Sequence, residues 1–298
     1  MPYAGNVRFV SASAFLFFAG SLAFPTRVTR ADLLHPRYIE SYNDCSADQE
    51  SKLKQDFADA ASFARHAFDN LDENSPAYAN YFRTEAGNGL EEDIEHAKHI
   101  WSAIASNNDP TNPSYTFTVR CAPDGDEECE SRTTQSWAIT DARPEEADGT
   151  PRQMKICPFY FTDASTRQSS TSHPWIPNPR RTQDSWCRPE ARFRDFSMGG
   201  LTLLHEMTHL DALANVAGYP ERHDEDGDFN THATEDVQGV EPGNNPPQQA
   251  RELAQIWRDG REGDYDELTE PYRNAESLAA SAFEHYVMKF CELDHVDI

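Results

Sequence analysis

Five consecutive residues carry the densest chemistry in this chain: His205-Glu206-Met207-Thr208-His209. On an α-helix, residues four apart share one face a turn apart, so both imidazoles can bind a single metal ion. The carboxylate that follows the first His is placed to take a proton from a water activated by that ion. The expected ion is one Zn2+ and the expected chemistry is hydrolysis, with His205 and His209 as ligands and Glu206 as the base. Leu201, Leu203, Leu204, Met207, Leu210 and Ala214 give the flanks apolar positions, and Gly218 and Pro220 end the run, so the pattern predicts a helix. The plain alternative is a helix with two ordinary histidines.

A catalytic zinc takes three protein ligands and keeps one position for water. The longer pattern His-Glu-x-x-His-x-x-Gly-x-x-His is absent, because Ala212 and Asn215 fill its last two places. The donors downstream are Asp211, His223, Asp224, Glu235, Asp236, Glu252 and Glu276. Asp211 follows His209 by two residues and therefore points away from the metal face. His223 lies in a loop and can ligate without strain. Chemistry alone leaves His223 and Asp236 both open.

Several elements must position these residues. Leu53, Phe57, Ala60, Ala64, Ala67 and Leu71 recur at helical spacing and predict a helix over about 48–70; Leu90, Ile94, Ala97, Trp101 and Ile104 predict a second over 90–105. Segments 115–121, 136–140 and 154–161 read as strands. Pro174, Pro177, Pro179 and Pro189 make 171–190 an irregular loop, a possible wall of a substrate cleft. An acidic loop is expected over 219–235, then helices over about 248–259 and 275–293. Helices at both ends of a short central sheet predict an α+β domain.

The N-terminus reads as separate from that domain. Arg8 precedes an apolar run from Phe9 to Gly20, and Ser21-Leu22-Ala23 offers small residues for cleavage. The run is too short to span a bilayer, so residues 1–23 are expected to be a secretory signal, 24–44 a leader and 45–298 the folded domain. Six cysteines, at 45, 121, 129, 157, 187 and 291, all follow the signal and predict three disulfides. Sequence permits 15 pairings. The formal charge of −25 argues against nucleic acid and anionic membrane as partners. A secreted monomer acting on protein or peptide substrates is expected.

Thr234-Glu-Asp236-Val-Gln-Gly239, followed by Ala250-Arg-Glu-Leu-Ala254, resembles the Gly-Thr-x-Asp-x-x-Tyr-Gly signature of the aspzincins, the deuterolysin and lysine-specific metalloendopeptidase group of secreted fungal zinc proteases. Ile156-Cys-Pro-Phe-Tyr-Phe161 is similar to the strand before that family's cleft, Thr202 to His209 to its zinc helix, and Asn274 to Ala282 to its closing helix. The resemblance covers about Cys45 to Cys291. It implies a zincin-like fold, mostly helical with a small mixed sheet, in which His205, His209 and Asp236 bind zinc and Glu206 is the catalytic base. It also implies the pairings Cys121–Cys129, Cys157–Cys187 and Cys45–Cys291. Ala233 stands where the motif has its first Gly, the segment is one residue short with Gln238 in place of Tyr, and the linker from His209 to Asp236 is longer than the family's. In the family that Tyr supports the transition state, so the amide of Gln238 is its nearest substitute. The intact Glu206 favours an endopeptidase. The altered segment favours the alternative, a secreted zinc-binding protein or antigen of the same fold with little proteolysis.

Overall fold

Ser46 opens the first helix by a reciprocal cap: its hydroxyl accepts from the backbone N–H of Gln49, and the Gln49 side chain accepts from the Ser46 N–H. The helix so started, α1 (Ala47–Asn70), buries Leu53, Phe57, Ala60, Phe63, Ala64 and Ala67 along one stripe. The computed structural model describes residues 39–83, 90–106, 114–130, 136–144, 152–177, 180–224, 227–237, 240, 245–264 and 268–298. The expected signal 1–23, most of the expected leader and Gln238 lie outside them. The described residues belong to one compact unit.

Four strands form a mixed sheet in the order β1-β2-β4-β3. They are β1 (Ile39–Asn43), β2 (Phe117–Cys121), β3 (Ala138–Thr140) and β4 (Gln153–Ile156). β1 and β4 run parallel to β2, and β3 runs antiparallel to β4 at an edge. Ile39–Asn43 fell within the expected leader. Pairing with β2 satisfies its backbone instead, so the domain starts before Cys45.

The expected strand over 154–161 is also corrected. It ends at Ile156, and α4 (Pro158–Thr162) follows. Pro158 sits at the first helical position, where its missing N–H costs nothing and its fixed φ suits a helix. Other helices are α2 (Pro76–Tyr81), α3 (Leu90–Ser106), α5 (Gly199–Thr208), α6 (Asp211–Val216), α7 (Pro246–Arg258) and α8 (Ala275–Cys291). The expected acidic loop carries a two-residue ribbon, β5 (Arg222–His223) with β6 (Asn230–Thr231). The architecture is α+β. Helices α1, α3, α5 and α8 pack together around the core, and Phe57 of α1 meets Phe117 of β2 edge-on.

All six cysteines are oxidised, but in pairings that differ from those the resemblance implied: Cys45–Cys121, Cys129–Cys157 and Cys187–Cys291. The sheet explains the first. Asn43 lies opposite Arg120 in the parallel β1–β2 register, so Cys45 emerges beside Cys121, with Cα atoms 5.0 Å apart. The second staples the segment after β2 to the end of β4. The third ties the proline-rich loop to the last turn of α8. Among the described residues no helix is long and apolar enough to cross a membrane.

Candidate metal centre

The metal-binding motif sits on α5, whose N-terminus is buried against α1. A Cβ at Gly199 would fall 2.5 Å from the Tyr160 hydroxyl and one at Gly200 2.6 Å from Asp59 Cβ, so only glycine lets the two helices approach this closely. The unbroken run expected through Ala214 is divided. α5 ends at Thr208, His209 caps it, and extended backbone at Leu210 turns the chain into α6. The Thr208 hydroxyl satisfies the His205 carbonyl, and the Thr208 carbonyl accepts from the Thr234 N–H. That bond brings in the segment carrying Asp236.

Three donor atoms converge. His205 Nε2 lies 3.2 Å from His209 Nε2 and 3.0 Å from Asp236 Oδ1, and His209 Nε2 lies 3.5 Å from the same oxygen. Ligand atoms around a tetrahedral zinc, at bond lengths of ~2.0–2.1 Å, are about 3.3 Å apart. The other ring nitrogens are engaged: His205 Nδ1 is 3.0 Å from Glu276 Oε2, and His209 Nδ1 is 2.9 Å from the Thr234 carbonyl oxygen. Both acceptors require a proton on Nδ1, which leaves an Nε2 lone pair on each ring aimed at the shared point. With both rings neutral, two lone pairs and a carboxylate oxygen face one another, and a proton or a metal ion can bind between them. This set suits a cation, and its nitrogen and oxygen composition suits zinc.

Electrostatics agree. Burial opposes charge on His205, but the hydrogen bonds and negative charge of Asp236 and Glu276 outweigh it and hold its pKa well above the ordinary imidazole value. His209 moves the same way: burial opposes the shift and Asp236 outweighs it. On Asp236, burial is outweighed by the two imidazoles, which hold the carboxyl far below the usual range. Positive charge is strongly favoured at the point of convergence.

The segment bearing Asp236 is pinned to the start of α8. Glu235 N–H donates to the Arg273 carbonyl, Ala275 N–H donates to the Glu235 carbonyl, and Asn274 caps α8 by accepting from the Ser277 N–H. One short bridge thus places Asp236 on one side and Glu276 on the other. Glu206 lines the same cleft as His209 and Asp236, and its Oε2 accepts from the Thr140 hydroxyl of β3 at 2.7 Å.

The remaining sequence candidates have other positions. His223 stands exposed in β5, outside the cluster, while Asp224 and Glu235 line the cleft, Glu235 paired with Arg222. Asp211 points away as expected, accepting from His232 and Thr231 and so anchoring the loop that leads to Asp236. Glu276 acts on His205 from behind. The roles of the Thr140 hydroxyl and the Thr234 carbonyl belong to no spacing pattern, so the sequence carries no signal for them.

No protein-family model matches the chain, and no curated protein is significantly similar to it.

Proposed function

We propose that this chain is a secreted zinc-dependent endopeptidase with a zincin-like domain of the aspzincin type. The observation that carries the proposal is the convergence of His205, His209 and Asp236 beside a carboxylate, Glu206, that is held by a neighbour and belongs to no ligand set. A site built only to store a metal has no use for that fourth group. Zinc, when bound there, supplies Lewis acidity that polarises a carbonyl and acidifies water.

The protein's own residues do the rest. Glu206 takes the proton of the attacking water as the new C–O bond forms, then passes it to the amide nitrogen as the C–N bond breaks. The Thr140 hydroxyl holds Glu206 in one orientation. Glu276 and the Thr234 carbonyl fix the two imidazoles. Among the described strands β3 pairs with β4 alone, so on its other side it meets no described strand and an extended chain can be proposed to lie there. Ser136, Ala138, Ile139 and Thr140 from this region line the cleft with Glu206. Three disulfides without a free thiol among the cysteines fit an oxidising, extracellular setting.

Glu206→Gln is the test. It removes the base and none of the ligands, so zinc content stays near one per chain while hydrolysis of denatured protein falls by at least ~100-fold. If wild type and Glu206→Gln are equally inert across acidic to neutral pH, the zinc-binding reading replaces the peptidase. Zinc neither present nor taken up on titration would end both.

A further inference from the structure

The cleft has two unlike sides. On the side of His209 it is polar, with Arg222, Asp224, Thr231 and Glu235 among its lining. On the side of His205 a cavity of about 540 Å³ opens along α5. Trp137, Phe193, Met198, Leu201, Val237 and Pro247 line it. Leu201 lies one turn before His205 on the same helical face. The charged side chains described there are His205, Glu206, Asp236 and Glu276, all committed to the centre, and Arg194. In a chain with 51 acidic residues against 26 basic ones, no other Asp or Glu side chain among the described residues lines this wall.

We infer that this cavity binds a bulky apolar side chain of the substrate, aromatic or large aliphatic, next to the bond that is cut. The inference rests on the peptidase reading for its substrate class. A lysine side chain entering here would lose its hydration, and the acidic side chains described there, Glu206, Asp236 and Glu276, are already committed to the metal site. A leucine or phenylalanine would exchange water for an apolar wall. Trp137 adds an aromatic face: it lies parallel to Phe159 with ring centroids 6.5 Å apart, is 36% exposed, and immediately precedes β3. A peptide extended along the β3 edge would therefore present one side chain to this cavity beside Glu206.

The test uses the zinc-loaded full chain and one set of peptides differing at a single position: Phe, Leu, Ala, Lys or Glu. Hydrolysis by the wild type is expected to favour Phe and Leu over Ala, Lys and Glu by at least ~10-fold in kcat/KM, the lower end for an apolar pocket. The same peptides are titrated against Glu206→Gln, with binding read by tryptophan fluorescence and calorimetry. The same order of affinity is expected. If no peptide is cut yet Phe and Leu still bind best, the peptidase reading fails and the apolar site stands. If cleavage occurs with Lys or Glu preferred, or without preference, the inference is overturned and the peptidase stands. Equal or absent binding overturns it as well. Leu201→Asp adds a second check, with zinc content and circular dichroism confirming the fold: it is expected to lower the Phe peptide by at least ~10-fold and raise Lys relative to it. An unchanged ratio overturns the assignment of Leu201 to the site.

Discussion

Glu276 Oε2 lies 3.0 Å from His205 Nδ1, across 71 residues of sequence. The carboxylate fixes the tautomer that leaves Nε2 free to ligate, and its negative charge makes the imidazole a stronger donor. It lies in the first turn of α8, and the cap of that helix, Asn274, is bridged to Glu235, the neighbour of Asp236. The third ligand and the support of the first ligand are therefore placed by one piece of backbone.

Glu276→Ala should leave all three ligands in place and still weaken zinc by about 10–100-fold. Competition against a chelator of known affinity measures this. An unchanged affinity would mean that Glu276 does not orient His205.

Asp236→Ala should weaken zinc by more than Glu276→Ala does, because it removes a ligand atom rather than a support. His223→Ala should leave zinc affinity unchanged, since the residue is exposed in β5 and outside the cluster. Metal titration of the two variants side by side decides it. Loss of metal in His223→Ala with retention in Asp236→Ala would give the third ligand to His223.

Gly199→Ala should destabilise the fold by about 1–3 kcal/mol, the usual cost of adding a methyl group to a filled interior. The new Cβ would press on the Tyr160 hydroxyl and displace α5, so zinc affinity should fall as well. Urea unfolding and chelator competition check the two effects. A variant as stable as the wild type would show that α5 does not need this close approach.

The motif on α5 was legible because helical geometry alone sets the relation of His205 to His209. The amphipathic stripes of α1, α3 and α8 were legible for the same reason. Asp236 was not chosen by spacing; it depends on a loop tied to two distant elements. The cysteine pairing followed strand register, which no local pattern encodes: Cys45 meets Cys121 because β1 lies beside β2. Peptide mapping without reduction should return Cys45–Cys121, Cys129–Cys157 and Cys187–Cys291. At Pro158 an apolar run fitted strand and helix equally, and the proline decided for a helix start.

Asp56 should make the protein less stable as pH rises from about 4 to about 7. It is fully buried against α5; burial raises its carboxyl from an ordinary 3.8 to about 7, while Lys52 and Tyr160 act in the opposite direction and Asp59 adds to the rise. Below pH 3.8 both the folded and unfolded chains hold the proton. Between 3.8 and 7 the folded chain keeps a proton that the unfolded chain has released, so stability falls with rising pH across that window and levels off above it. The full effect is on the order of 4 kcal/mol. Asp56→Asn keeps an acceptor for the Tyr160 hydroxyl and has no charge to bury. Its stability relative to the wild type should therefore increase by a few kcal/mol between pH 4 and pH 7.5, measured by urea unfolding at saturating zinc. Taking the difference between the two proteins at each pH cancels the pH dependence of metal binding that they share. A difference that stays constant across the window would show that Asp56 is ionised in the folded protein throughout, held by Lys52 and the N-terminus of α5.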